Sequence, residues 1–490
     1  MAPDRRAALP MSALIFPALY LPTLGQAVGL RASTGDSMTL SVSTPPRRLP
    51  LIRRAGLALA WLLATAAAQA ALPIQHWTQP SGARVALVES PAIPMLDVQI
   101  DFDAGSRRDP ARQAGLASVS ALMSSRGVQA HGTAPALDEN ALSEAWADLG
   151  ASFGGSASND RLTFGLRTLT EPDLLDRAIS LAARQLAEPA LPEAIWRRER
   201  ERLVASLKEE DTRPGTQAAK AFARAVYGDH PYGQEMTAAT LATLQVSDMR
   251  RYLSRSVRAC DARVSLVGAV SRAQADVLVS RLLALLPAGP CQPQPAVPEV
   301  APLTQAETLN LPFDSAQAHV FIGQPGIRRA DPDYFALLVG NYIMGGGGFV
   351  SRLTSEVREK RGLSYSVYSY FAPGLHAGAF TIGLQTRPDQ AAEAVKVARE
   401  VLSRYVAEGP TEAELKAAKD NLVGGFALRI DSNKKLLDNV ANMALHDLPW
   451  DYLDTWTQQI AKVSVQDIRS AFQRHLQPDR LVTVTVGGRP

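Results

Sequence analysis

The clearest pattern along the chain is an alternation in which Leu96, Val98, Ile100 and Phe102 fall on one side of an extended segment and Asp97, Gln99 and Asp101 on the other. This predicts a β-strand with one apolar face, and Phe380, Ile382 and Leu384 repeat the pattern. Between such segments apolar residues recur at helical spacing. Helix starts carry signals such as Pro410-Thr411 with Glu414 three residues after Thr411, a capping box. Cleanly alternating strands have one wet face, so the expected fold class is α+β, with antiparallel or mixed sheets and helices packed on one face.

The chain also resembles itself. Thr163-Phe164-Gly165-Leu166-Arg167-Thr168 recurs as Thr381-Ile382-Gly383-Leu384-Gln385-Thr386, and a Pro-Asp pair opens a helical pattern after each, at Pro172-Asp173 and Pro388-Asp389. Val246-Ser247-Asp248-Met249-Arg250 recurs as Val465-Gln466-Asp467-Ile468-Arg469. Both copies run into a terminal β segment, Val264 to Gly268 and Thr483 to Gly487, and Gly105-Ser106-Arg107-Arg108 has an echo in Gly326-Ile327-Arg328-Arg329. Matches in the same order at a nearly constant offset predict two homologous domains. Pro287 to Pro302 contains six prolines and predicts a semi-rigid hinged connection. The expected division is an extension and signal over 1–71, a first domain over 72–286, a linker over 287–304 and a second domain over 305–490.

Composition narrows the function less than the repeat does. A net charge of +3 over 490 residues gives no strong field, and no block of like charge suggests a nucleic-acid arm. Arg47, Arg48, Arg53 and Arg54 precede the apolar run Ala55 to Ala68, followed by Ala68-Gln69-Ala70 before Ala71. This reads as a secretory signal cleaved near Ala70 and predicts a periplasmic protein. The run is too short for a comfortable membrane anchor, and the start could lie at Met1 or Met38. Cys260 and Cys291 are the two cysteines. Export would permit a disulfide between them, and two free buried thiols are the alternative.

The segment from Gly345 to Val367, GGGGFVSRLTSEVREKRGLSYSV, is the richest in chemistry. Gly345, Gly346, Gly347 and Gly348 open a predicted helix, and their backbone N–H groups could hold an anion or admit a peptide backbone. Helical spacing predicts that Phe349, Leu353 and Val357 pack inward and that Arg352, Arg358 and Lys360 face solvent or a cavity. Gly362 suits a left-handed helix end, and Tyr365 then begins an extended segment. Arg358 and Tyr365 can share one space. On these residues alone, a surface Arg, a half-buried Tyr and a tight turn is the competing reading.

Four features together resemble the pitrilysin/insulinase metallopeptidases, the inverzincins. They are the strand end Phe102 to Arg107, the helix opening Gly115-Leu116-Ala117, the loop Tyr227 to Gly233, and the block S-R-L…R-E-K-R-G-L-S-Y-S-V. The resemblance covers essentially Leu72 to Pro490. In active members it implies a zinc-binding H-x-x-E-H on the helix after the early strand. Here Ser118, Ala121 and Leu122 stand at the first His, the Glu and the second His, and none can replace those groups. Ser206 or Ala205 falls at the third ligand, a Glu in the family, with Glu199, Glu201 and Glu209 nearby. None of the seven histidines lies within a helical turn or two of another, so this chain is expected to bind no metal. His230, beside Pro231, is expected to be structural.

The resemblance further implies that Arg358 and Tyr365 bind substrate or a developing oxyanion, with Gly345 to Gly348 as a backbone-binding loop. It implies a zinc-less subunit of a periplasmic heterodimer, whose zinc-bearing sibling would supply the metal and general base for cleaving peptides or unfolded segments. The alternative is an inactive structural or peptide-binding pseudopeptidase, as a homodimer or a core subunit of a larger complex.

Overall fold

A computed structural model describes residues 73–488 apart from Ala288 and Gln292; the signal segment and the choice between Met1 and Met38 lie outside the described residues. Two mixed sheets organise the chain. The first contains β1 (Ile74–Thr78), β2 (Arg84–Glu89), β3 (Met95–Phe102), β4 (Ser152–Ala157), β5 (Leu162–Leu169) and β6 (Arg263–Gly268), in the order β1-β2-β6-β3-β5-β4. The second contains β7 (Glu307–Leu311), β8 (Ala318–Pro325), β9 (Ser366–Phe371), β10 (Ala379–Thr386) and β11 (Val482–Val486), in the order β7-β11-β8-β10-β9.

Apart from the extra edge strand β1, the two orders are the same, and each sheet has one parallel pair at the same place, β2 with β6 and β7 with β11. The repeated Thr-x-Gly-Leu segments are β5 and β10, and the repeated Val-x-Asp segments start the helices Val246–Ser256 and Val465–His475. Both starts carry capping boxes. This is the α+β class with antiparallel and parallel pairing that the alternation predicts.

One face of each sheet meets its own half's helices. Leu96, Val98, Ile100, Phe102, Phe164 and Leu166 build one core, and Ile322, Phe380, Ile382, Leu384, Tyr405 and Phe472 build the other. The second face is where the structure departs from expectation. Asp97, Gln99 and Asp101 are buried rather than wet, because the helix Asn433–Leu445 from the second half lies over β3 and β6. Its Leu436, Leu437, Val440 and Met443 pack on Ala86, Val88 and Val267. Reciprocally, the helix Pro214–Tyr227 from the first half covers β8 and β11, with Ala218, Phe222 and Val226 against Val482, Val484 and Val486. Each half therefore lends the other a helix. Alternation within a strand identifies two faces but does not reveal what a distant segment will place on them.

Asp101 and Gln99 of the buried polar row are held by hydrogen bonds, whereas Asp97 has only Arg167 at 3.7 Å and a buried Oδ2 without a partner. Asp101 accepts from Thr163 Oγ1 at 2.6 Å, Gln99 Nε2 at 2.8 Å and Arg161 Nη1 at 3.0 Å. A second polar seam joins the halves: Asp160 accepts from Tyr232 Oη at 2.5 Å and from the Leu375 N–H at 2.9 Å, and Tyr227 Oη accepts the Ala379 N–H at 2.9 Å. His230 is buried and uses both ring nitrogens, Nδ1 toward the Tyr232 N–H and Nε2 toward the Pro298 carbonyl, which is a structural role.

The proline-rich linker is tied down rather than hinged. Cys260 and Cys291 form a disulfide. Arg258, Arg108 and His230 also engage the carbonyls of Pro290, Pro295 and Pro298. Among the described residues, no helix is long and apolar enough to cross a membrane.

Candidate functional site

The helix Tyr334–Asn341 continues as a π-helical turn, Tyr342–Gly346, before a short 3₁₀ turn, Gly348–Val350, and a second π-helical stretch, Thr354–Glu359. The glycines sit between these pieces and do not open one regular helix. Gly345 is buried, and a Cβ there would lie 2.4 Å from Ser369 Oγ and 2.6 Å from Ser369 N. Only glycine lets this turn approach β9 so closely. Gly346 and Gly347 face Asn341 and the Tyr342 carbonyl at similarly short range. Gly348 has φ +62° with open space around it, so it serves the backbone reversal.

Breaking the helix redirects its side chains. Leu353 and Val357 are fully buried, as helical spacing predicts, but Phe349 is 68 % exposed and Val350 76 %. The inward assignment of Phe349 fails because the 3₁₀ turn ends before Ser351 and the phase of the pattern is lost across it. Arg352 does not face solvent or a cavity. It donates twice to Glu414 at 2.7 Å, once to the Gly409 carbonyl at 3.1 Å, and lies over the Tyr405 ring. Burial raises the Glu414 pKa, but hydrogen bonds from Arg352 and Thr411 outweigh it and hold the carboxyl at about 2. Lys360 is exposed and pairs with Glu356.

Arg358 and Tyr365 are brought together. Gly362, at φ +62°, ends the segment with its N–H on the Arg358 carbonyl at 2.9 Å, and the turn carries Tyr365 back toward Arg358. The Arg358 guanidinium carbon lies 4.7 Å from the Tyr365 ring centroid and 4.8 Å from that of Phe349. Tyr365 is 81 % exposed. Arg358 makes ring contacts but no ion pair with any described residue. Its N–H donors are therefore free to meet a carbonyl or an anion, while the rings fix the plane in which they lie.

The positions of the lost zinc motif lie on the helix Leu116–Met123. It starts at Gly115, φ +102°, and the carboxyl oxygens of Asp109 accept the N–H groups of Gly115 at 2.9 Å and Ala117 at 3.1 Å. Ser118 and Leu122 are half-buried and Ala121 is buried. On the helix Glu193–Glu210, Ser206 donates to Glu210 at 3.3 Å. Glu199 is buried and held by Arg198 at 2.9 Å, Arg202 at 2.6 Å and Arg126 at 3.5 Å. A hydroxyl, a methyl and an isobutyl group do not make a zinc site, and the buried glutamate nearby is already held by arginines. The residues present do not fit the metal. Among the described residues, the two clusters that gather three possible ligand atoms are elsewhere. One contains the disulfide-bonded Cys260 and Cys291; the other is Asp331, Asp333 and His475, where Asp333 already accepts from Arg474 and His475.

The two edges beside these groups differ. Asn341 covers part of the outer edge of β9, its Nδ2 donating to the Ser369 carbonyl at 3.0 Å and its Oδ1 accepting from Ser369 Oγ at 2.8 Å. The edge strand β4 packs beside the helix Leu116–Met123, where a Cβ on Gly155 would stand 3.2 Å from the Ala121 carbonyl. No hydrogen bond, ion pair or ring contact joins Arg358 or Tyr365 to Ser118, Ala121 or Leu122 among the described residues. Sequence reasoning missed Phe349 as part of the exposed group; an aromatic residue directly after a glycine run was the available signal.

Residues 84–240 match the family described as Insulinase (Peptidase family M16), and residues 243–422 match the Peptidase M16 inactive domain. A solved structure from Pseudomonas fluorescens, described as a peptidase M16 inactive domain, is 32% identical. It superposes with a TM-score of 0.80, covering 86% of this chain and 98% of that one. A Streptomyces coelicolor protein called an uncharacterized zinc protease is 29% identical over 266 residues, which span 52% of this chain and 57% of that relative. A Helicobacter pylori protein called a non-peptidase homolog is 24% identical over 410 residues, 82% of this chain and 91% of the relative. The chain belongs to the pitrilysin/insulinase family, peptidase family M16.

Proposed function

We propose that this chain is the zinc-free subunit of a periplasmic heterodimeric peptidase. Its part is to bind and polarise the peptide, while a family sibling carrying H-x-x-E-H holds zinc and activates water. The observation that carries this reading is the paired state of Arg358 and Tyr365: an uncommitted guanidinium and an exposed phenol side by side, in a chain whose zinc positions hold Ser118, Ala121 and Leu122. A carbonyl that gains negative charge is stabilised by a permanent cation and a neutral O–H donor placed together in advance. Neither group is a base or a nucleophile at neutral pH, so the water-activating half must come from elsewhere.

The peptide is proposed to bind as an added strand, a mode that takes affinity from main-chain hydrogen bonds and is tolerant of sequence. Short or unfolded peptides are the fitting class. The glycines contribute chiefly by shaping the turn that presents Phe349, Arg358 and Tyr365.

The test is reconstitution. The chain alone, an H-x-x-E-H sibling from the same genome alone, and the two together are compared in hydrolysis of a mixed peptide set. The proposal expects the mixture to exceed the sum of the parts; a mixture no more active than the sibling alone rejects it. The second reading, an inactive peptide-binding or structural subunit, is supported by the exposed Phe349, Val350 and Tyr365 group, which suits a protein cover as well as a substrate. That reading expects a stable complex, or a homodimer by sizing, without gain in hydrolysis.

A further inference from the structure

A cavity of about 340 Å³ opens beside the Cys260–Cys291 disulfide, lined by Arg84, Asp103, Arg108, Asp261, Arg263 and linker residues including Pro293. Arg263 is its unusual member. It lies on β6, cross-strand from Arg84 on β2 and from Asp101 on β3, so the three side chains share one face of the sheet. Its Nε is buried with no hydrogen-bond partner, and its guanidinium forms no ion pair with any described residue. Arg107, Arg126, Arg184 and Arg258 also bury a bare Nε, but each places a terminal nitrogen on a carboxylate or carbonyl.

Three of the carboxylates around Arg263 are engaged by other groups, and the fourth, Asp261, forms no ion pair with it. Asp101 is filled by Thr163, Gln99 and Arg161. Asp103 is shared by Arg107 and Arg108, and Asp447 is bound to Arg84 at 2.7 Å. Asp261 lines the same cavity, and burial is the largest influence on it, raising its pKa. Burial and the like charge of Arg84 work against the ionised form of Arg263 and outweigh the pull of Asp447, Asp103 and Asp101, none of which pairs with it. A half-buried cation kept without a partner beside a second arginine is costly to the free protein. The arrangement becomes favourable when an oxyanion supplies the missing acceptors, since guanidinium forks match carboxylate and phosphate geometry.

We propose that this cavity binds a small oxyanion, a carboxylate or phosphate group, between Arg263 and Arg84, with the disulfide-pinned linker as one wall. The volume lies at the small end of ligand sites. The site stands apart from the Arg358 and Tyr365 group and does not depend on the peptidase reading.

The experiment uses the exported chain with its disulfide intact, at constant ionic strength. Thermal unfolding and isothermal titration are followed against inorganic phosphate, against succinate and against chloride as control. The expected result is a saturable rise in melting temperature with phosphate or succinate but not chloride, with a dissociation constant tighter than about 1 mM. Arg263→Met should abolish that response while melting no lower than the wild type in its absence, because it removes an unpaired half-buried charge. Arg84→Met should weaken binding about tenfold, the effect of losing one charge-assisted contact. Absence of saturable binding in the wild type, or an unchanged response in Arg263→Met, overturns the proposal. Response to succinate alone or phosphate alone supports it and identifies the oxyanion class.

Discussion

The two halves of this molecule carry the same strand order and have parted in what they do with polar side chains. In the first half they are absorbed into the interior: Asp109 caps the helix Leu116–Met123, Glu199 gathers three arginines, and Asp97 and Asp101 lie beneath a borrowed helix. The second half keeps an arginine and a tyrosine outside, uncommitted and held against each other. A duplicated fold can thus retain architecture on both sides while the two sides differ in which polar groups are left uncommitted. The fold needs its sheet order and its exchanged helices, and those requirements place no demand on Ser118, Leu122, Arg358 or Tyr365.

The comparison is broken most severely at the exchanged helices. Phe222 is buried against Phe321 of the opposite sheet at a ring separation of 5.8 Å, and Phe222→Ala should cost about 3–5 kcal/mol. Met443→Ala, at the reciprocal contact on the first sheet, should cost about 2–5 kcal/mol. Each change should lower the stability of both halves together. Urea unfolding read at Trp146 and Trp196 in the first half, and at Trp456 in the second, should give coincident transitions. Separate transitions would show that the halves fold alone and that the exchange is decoration.

The next effect sets one carboxyl of the first half against one of the second by pH. Burial pushes the Asp109 carboxyl up from 3.8 to about 7, against the backbone N–H groups of Gly115, Ala117 and Leu116 that pull it down. The native state therefore holds a proton that the unfolded chain releases near its ordinary pKa. Stability from this group is fully present below that value and is lost as pH rises through about 7, by up to about 4 kcal/mol. In the second half Asp333 runs the opposite way, lowered by the hydrogen bond from Arg474, so its contribution is lost as the solution becomes acid. Chemical unfolding across pH should show Asp109→Asn flattening the fall toward neutral pH and Asp333→Asn flattening only the acid limb.

At the site itself, Tyr365→Phe in the reconstituted complex should cost up to about 3–4 kcal/mol in transition-state binding, the scale of one oxyanion donor. It should leave unfolding unchanged, since the side chain is exposed. Steady-state kinetics should show the loss in kcat more than in KM. Undiminished turnover would return Tyr365 to an ordinary surface residue and the second half to the silence of the first.

Local rules made much of this legible. Period-two alternation located β3 and β10, the capping box at Thr411 was formed as written, and self-comparison exposed the repeat that the matching sheet orders display. The burial of Asp97, Gln99 and Asp101 was not legible, because it depends on a helix more than three hundred residues downstream. The glycine run was readable as a special backbone but not as a packing solution, since Ser369 lies across a turn that the sequence does not draw. Phe349 was misplaced because the helical phase of Leu353 and Val357 was carried back through the 3₁₀ turn Gly348–Val350, which breaks it.

That misplaced residue gives the smallest and most discriminating prediction. If Phe349 only fills surface, Phe349→Leu changes nothing measurable, because the ring is mostly exposed and leucine keeps the apolar character. If it holds the Arg358 guanidinium from one side while Tyr365 holds it from the other, removing the ring forfeits a cation–π contact of about 0.5–1 kcal/mol at an exposed site. The reconstituted complex should then lose about two- to fivefold in kcat/KM, with stability unchanged. Phe349→Tyr, which keeps an aromatic face, should recover it. A loss in both variants would mean that bulk at the mouth of the site matters and not the ring. Recovery by tyrosine alone would show that the second half preserves a three-residue stack whose purpose is to aim one arginine.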